Sequence, residues 1–278
     1  MEPTVPPSAS RRAVLGAGAT LLAATPAIAA APTVTGAAAE AEARRILERY
    51  QGFGDKASGG PGDIASGAWL EGEFSAMGFR LQRQAFDAPA YEGDATLTAG
   101  AATATLIPQA TVIPTPPQGL TAPIHLAGPG RGGPGIALIV LPHARWSTVV
   151  GFVEKQVSAA FAAGASAAVI VTTGPTGEAL ALNAPIDRAL FDRPVAVLAP
   201  KDAEPFLAAA AKGETVTLRM AGRAFRRPAF NVTGVLDRGA ARSLVISTPR
   251  SGWFGCAGER GSGMAVFLML VEWAARAK

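Results

Sequence analysis

A chain of 278 residues that is 49% hydrophobic and 17% charged has apolar material for one large domain or two modest ones, which excludes disorder over most of its length. Its 25 basic and 21 acidic residues balance to +4 at pH 7, too diffuse a charge to argue for nucleic acid. The single cysteine, Cys256, excludes an internal disulfide.

The first 31 residues read as an export leader. Ser10-Arg11-Arg12 opens a weakly apolar stretch that runs to about Ala31, and Ala27-Ile28-Ala29 has the small-x-small form of a signal-peptidase site. The paired arginines after a serine give it the form of a twin-arginine signal, whose cargo crosses the membrane folded. The expected location is therefore periplasmic or secreted, with no membrane association once the leader is cleaved. No other segment reaches the roughly 20 apolar residues of a membrane span.

Residues 32–104 form the first mature segment. Ala37 to Phe53 reads as a helix with Ile46, Leu47 and Tyr50 on one face. The glycine-rich stretch Gly54 to Gly62 is a loop, and Asp63 is placed to cap the next helix. Leu70, Phe74 and Met77 form an apolar stripe on that helix. Phe79 to Phe86 and Ala95 to Ala104 alternate as two strands.

Residues 105–222 form a second unit. Four prolines between Pro108 and Pro117 mark a bent connection. Ile136 to Leu141 is a continuous apolar strand of the buried kind. Val153, Val157, Ala160 and Phe161 share a helical face, Ala168 to Val171 and Val195 to Leu198 are strands, Glu204 to Ala211 is a helix and Thr215 to Met220 an edge strand. Gly128 to Gly133 has the spacing of a dinucleotide fingerprint, but Pro134 and a strand follow where a helix is required, so that reading fails. His125 and His143, the only histidines, have no partner at metal-ligand spacing. Arg219, Arg223, Arg226 and Arg227 read as a solvated linker.

Gly135 to Ile139, Glu154-Lys155-Gln156-Val157, Ala163 to Ile170 and Arg193 to Val197 together resemble the protease-associated domain. That resemblance implies a small, non-catalytic α/β insert that covers a peptidase active site and influences substrate access.

The last segment, 223–278, carries the reactive side chains. Phe230 to Leu236 reads as a strand, Leu244 to Ser247 as another, and a helix starts near Met264. Between them lies the polar, glycine-rich loop Thr248–Gly263, with Arg250, Ser251, Cys256, Glu259 and Arg260. A loop between strand and helix is where α/β folds place their chemistry. The opening Asn231-Val232-Thr233-Gly234, the strand at Leu244, and Glu259 to Ala265 resemble the di-zinc aminopeptidases of the bacterial leucyl aminopeptidase and glutamate carboxypeptidase type. Gly54 to Gly78 is similar to their glycine-rich loop and following helix.

The resemblance implies an α/β fold: a zinc-aminopeptidase-like mixed-sheet domain, incomplete at its C-terminus, with the protease-associated domain inserted. It implies zinc as the family's cofactor and peptide hydrolysis as its activity. The family's His-x-Asp ligands are replaced here by Pro249-Arg250-Ser251, and only Glu259 stands at the position of the bridging ligand. Arginine at that place repels dications, so no cofactor is expected in this chain as written. Three readings follow. One is a peptidase homologue without a complete metal site. The second is a module binding a peptide or small carboxylate through Arg250, Trp253 and Arg260. The third is a metal-free hydrolase built on the Thr248–Gly263 loop, with Glu259, Arg260, Arg250, Ser251 and Cys256 as candidates and the two arginines placed to lower the Cys256 pKa.

Overall fold

The computed structural model describes residues 36–128, 130–144, 149–183 and 188–277. The leader lies outside the described residues. Helix α1 (Ala37–Gln51) buries Ile46 and Tyr50 and keeps Glu40–Arg44 and Glu42–Arg45 ion pairs on its outer side. Helix α2 (Pro61–Ala76) starts three residues earlier than expected, with proline in its first turn. Asp63 is therefore not the capping residue. It lies inside the first turn and accepts the Gly59 N–H at 2.8 Å.

Strands β1 (Arg80–Ala99) and β7 (Thr215–Val235) form one long antiparallel ribbon, in register from Arg80 opposite Val235 to Thr98 opposite Thr217. The two short strands expected between Phe79 and Ala104 merge, because the ladder to β7 carries the weak strand formers Asp87 to Gly93 through. The same pairing absorbs the four arginines: they lie on β7, where Arg223 meets Glu92 and Arg227 donates to the Ser58 carbonyl. They are part of a strand, not a linker. Gly93 and Gly222 face each other where the connection through Val112 crosses the ribbon. A Cβ on Gly222 would come within 2.9 Å of the Val112 side chain, so only glycine admits that crossing.

At one end the ribbon closes a barrel. Its other strands are β2 (Ala102–Pro108), β3 (Leu120–Leu126), β4 (Gly135–Leu141), β5 (Ala165–Thr172) and β6 (Val195–Leu198). The order β1-β2-β6-β5-β4-β3-β7 makes a seven-stranded mixed sheet, with β3, β4, β5 and β6 parallel and the remaining pairs antiparallel. Leu97, Ile124, Leu138, Val169, Leu198 and Leu218 fill its interior, joined by Phe206 of α4 (Glu204–Lys212). Helix α3 (Val150–Ala162) lays Val153, Val157 and Ala160 against Ile139 and Ile170 on the outside.

At the other end the ribbon packs against α1, α2 and α5 (Ser262–Arg276) through Leu81 and Val232. Ile46, Tyr50, Leu70, Phe74, Met264, Leu268 and Val271 form this separate core. The strand expected at Leu244 to Ser247 is not formed. These residues are irregular, and Leu244 and Val245 are exposed, because no neighbouring strand among the described residues pairs with them. No described helix is long and apolar enough to cross a membrane.

Candidate functional site

The glycine-rich loop before α5 is held by the loop between α1 and α2. The Lys56 N–H donates to the Phe254 carbonyl at 2.8 Å and the Gly252 N–H to the Lys56 carbonyl at 3.0 Å. The Ser58 hydroxyl donates to the Ser251 hydroxyl at 2.9 Å. Lys56 is fully buried. Its ammonium donates to the Gly54 carbonyl at 2.5 Å and lies 4.5 Å from the Tyr50 ring centroid. Burial pushes the lysine pKa down, since desolvation penalises its charged form.

Arg250 points inward. Its Nε donates to Asp63 Oδ1 at 2.8 Å, one terminal nitrogen donates to the Phe230 carbonyl at 2.9 Å, and the guanidinium lies 4.7 Å from the Phe230 ring centroid. The two charged side chains are 11% and 2% exposed, so this is a buried, hydrogen-bonded ion pair. A Cβ on Gly67 of α2 would come within 2.3 Å of the guanidinium. The Tyr50 hydroxyl fixes the arginine's backbone, donating to the Arg250 carbonyl at 2.6 Å. Burial raises the Tyr50 pKa and keeps the phenol a donor. Where a ligand-binding Arg250 was expected, the structure turns its guanidinium inward, onto Asp63 of α2 and the Phe230 carbonyl of β7.

Beyond Arg250 the chain turns sharply. Phe254 and Cys256 both adopt φ of 52°, the left-handed region that side chains disfavour, and a π-type turn, Ala257–Gly261, leads into α5. Trp253 packs on Tyr91 of β1, with ring centroids 6.0 Å apart. The Cys256 thiol donates to Glu259 at 3.7 Å. Burial first, and then the Glu259 charge, push the thiol pKa up, outweighing the opposite pull of Arg260. The two arginines expected to activate the thiol do not do so: Arg250 faces away and Arg260 pairs with Glu259 at 2.9 Å. Nε of Arg260 is buried without a hydrogen-bond partner.

The histidines belong to the barrel, not to this loop. His125 lies on β3 with Nε2 buried and unpartnered, and burial lowers its pKa. His143 follows β4, with Nδ1 3.2 Å from the Thr173 carbonyl. The donor set of the loop does not fit zinc. Pro249 has no ligand atom, Ser251 is bound to Ser58, Glu259 is held by Arg260, and Arg250 brings a cation paired with Asp63. Among the described residues no three histidine, cysteine or carboxylate side chains are grouped as metal ligands.

The structure therefore gathers Arg250, Ser251, Trp253, Cys256, Glu259 and Arg260 in one loop, but gives them separate tasks. Sequence reasoning missed Tyr50, Lys56, Ser58 and Phe230 as their partners and gave Asp63 only a capping role. The Asp63–Arg250 pair spans 187 residues, and no local pattern encodes such a contact.

No protein-family model matches the chain, and no curated protein matches it. Solved structures do. BSAP, a zinc aminopeptidase from Bacillus subtilis, matches with a TM-score of 0.61 and 18% identity over 86% of this chain and 58% of its own. A peptidase M28 precursor from Shewanella amazonensis SB2B matches with a TM-score of 0.58 and 18% identity over 86% of this chain and 63% of its own. The chain thus has a zinc-aminopeptidase-like mixed α/β fold and spans about three fifths of the length of these relatives.

Proposed function

We propose that this protein is an exported, peptidase-like protein in which the Pro249-Arg250-Ser251 loop is structural and holds no zinc. In this reading Met1–Ala31 directs export to the periplasm or beyond, and residues 105–222 are the inserted protease-associated-like domain. The fold likeness to zinc aminopeptidases supports the relationship. One observation carries the loss of metal chemistry: the Arg250 guanidinium, clamped on Asp63, stands in the segment where the resemblance requires His-x-Asp. Metal-activated water needs neutral imidazole and carboxylate donors around an open position, and this loop offers a cation instead.

A specific observation favours peptide or carboxylate binding as the residual activity. Arg260 keeps a buried, unpartnered Nε, and its Cγ would lie 3.2 Å from a Cβ on Gly252, the residue that precedes the aromatic pair Trp253 and Phe254. Guanidinium and aromatic faces together suit a peptide terminus or a small carboxylate. The metal-free hydrolase gains no comparable support, because the Cys256 thiol is disfavoured as thiolate and neither histidine belongs to the loop.

The test is metal analysis of protein purified with zinc present, alongside hydrolysis of a leucyl anilide. The expected outcome is far less than one zinc per chain and no chelator-sensitive turnover. Near-stoichiometric zinc with chelator-sensitive turnover would overturn the reading. Short peptides are expected to raise the melting temperature, and Arg260→Ala to abolish that shift.

A further inference from the structure

The groups around the glycine-rich loop run from a cation, over aromatic rings, to an anion. A Cβ on Gly252 would lie 3.2 Å from Cγ of Arg260, so the stem of that guanidinium lies against the backbone just before Trp253. Trp253 packs on Tyr91 of β1 and on Phe254, with ring centroids 6.0 and 6.4 Å away and tilted planes. Tyr91 and Trp253 are partly buried and Phe254 is exposed. Phe254 is held in the left-handed backbone region, at φ of 52°, and its carbonyl accepts the Lys56 N–H. Side chains adopt that conformation at a cost, and such outliers collect at ligand clamps. Asp55 precedes Lys56 in the chain and so stands beside the same loop. It is exposed, its Oδ1 accepts the Ala57 N–H at 2.8 Å, and among the described residues it takes part in no ion pair. Its charge reaches Tyr91: burial first, and then the Asp55 carboxylate, push the phenol pKa up.

We propose that this surface binds the C-terminal end of a peptide whose last residue is basic, with the carboxylate on Arg260, the aliphatic stem across Trp253 and Tyr91, and the side-chain cation on Asp55. The order of the groups sets the class. A guanidinium suits a carboxylate. Aromatic faces take both the methylenes of a lysine and its ammonium. An exposed, unpaired carboxylate beyond the rings completes a charge pattern opposite in sign to that of such a ligand. An apolar last residue would leave Asp55 unused, and an acidic one would be repelled by it. The inference rests on the proposed carboxylate site at Arg260 and adds the side chain that the site reads.

The test is calorimetric titration of the purified protein with Ala-Ala-Lys, with its C-terminal amide and with Ala-Ala-norleucine, which keeps the stem and lacks the charge. Ala-Ala-Lys is expected to bind, and the other two to bind about tenfold more weakly. Asp55→Asn keeps an oxygen for the Ala57 N–H. It should bring Ala-Ala-Lys down to the level of the norleucine peptide and leave the affinity of the norleucine peptide unchanged. Equal affinities for the lysine and norleucine peptides would overturn the inference and leave the carboxylate site standing. So would an Asp55→Asn protein that still prefers lysine. If no peptide binds, or the amide binds as tightly as the acid, the carboxylate site falls and the inference with it.

Discussion

The barrel and the loop before α5 are stabilised by different means. In the barrel, Leu97, Ile124, Leu138, Leu198 and Leu218 are fully buried inside a sheet that closes on itself and leaves no edge. Its stability is spread over many apolar contacts, each small. The loop depends on a few polar contacts, each costly to break: Asp63 with Arg250, Tyr50 with the Arg250 carbonyl, and Lys56 with the Gly54 carbonyl. A closed apolar core tolerates loss in proportion to volume removed. A buried ion pair that loses one member leaves the other charge stranded.

That contrast is most exposed by Arg250→Ala. Stranding Asp63 should cost about 3–5 kcal/mol and unfold the loop and its helices before the barrel. Urea denaturation should then show two transitions, the first in tryptophan fluorescence and the second in far-ultraviolet circular dichroism. A single unshifted transition would mean that the pair contributes nothing. Leu138→Ala inverts the test. A cavity in the barrel should cost roughly 3 kcal/mol and weaken the second transition, leaving the first in place. Tyr50→Phe removes only the hydroxyl that holds the Arg250 carbonyl. It should cost about 1–2 kcal/mol, read as an earlier midpoint of the loop transition.

The smallest effect expected is a pH dependence in the barrel. Burial lowers the folded-state pKa of His125 below its ordinary value, so the unfolded chain binds its proton more readily. The stabilising contribution is complete above the ordinary histidine pKa and is lost as pH falls through the lowered one. Comparing wild type with His125→Leu by thermal melts at pH 7 and pH 5 should show a smaller acid-induced loss in the variant. Equal losses would place the titration elsewhere.

Much of the barrel was legible in the residues. Strands β4, β5 and β6 are short apolar runs bounded by turn residues, and α3 and α4 follow helical periodicity. The long ribbon was not, since Asp87 to Gly93 have weak strand preference and are held extended by their partner on β7. The Leu244 segment failed in the opposite sense: its residues favour a strand, but no described neighbour pairs with it. At the site, the clustering of Arg250, Ser251, Trp253, Cys256, Glu259 and Arg260 and the Glu259–Arg260 pair followed from proximity in sequence. The inward turn of Arg250 and the raised thiol pKa did not, because both depend on burial.

By itself the sequence determined the apolar faces and the turn positions, since each of these is a property of residue type and near-neighbour spacing. Only the tertiary structure decided what Arg250 is for. Asp63 and Phe230 reach it from α2 and β7. A charge between a partner carboxylate and an aromatic face in a dry interior serves the fold, and the same charge in water would have been free for a ligand.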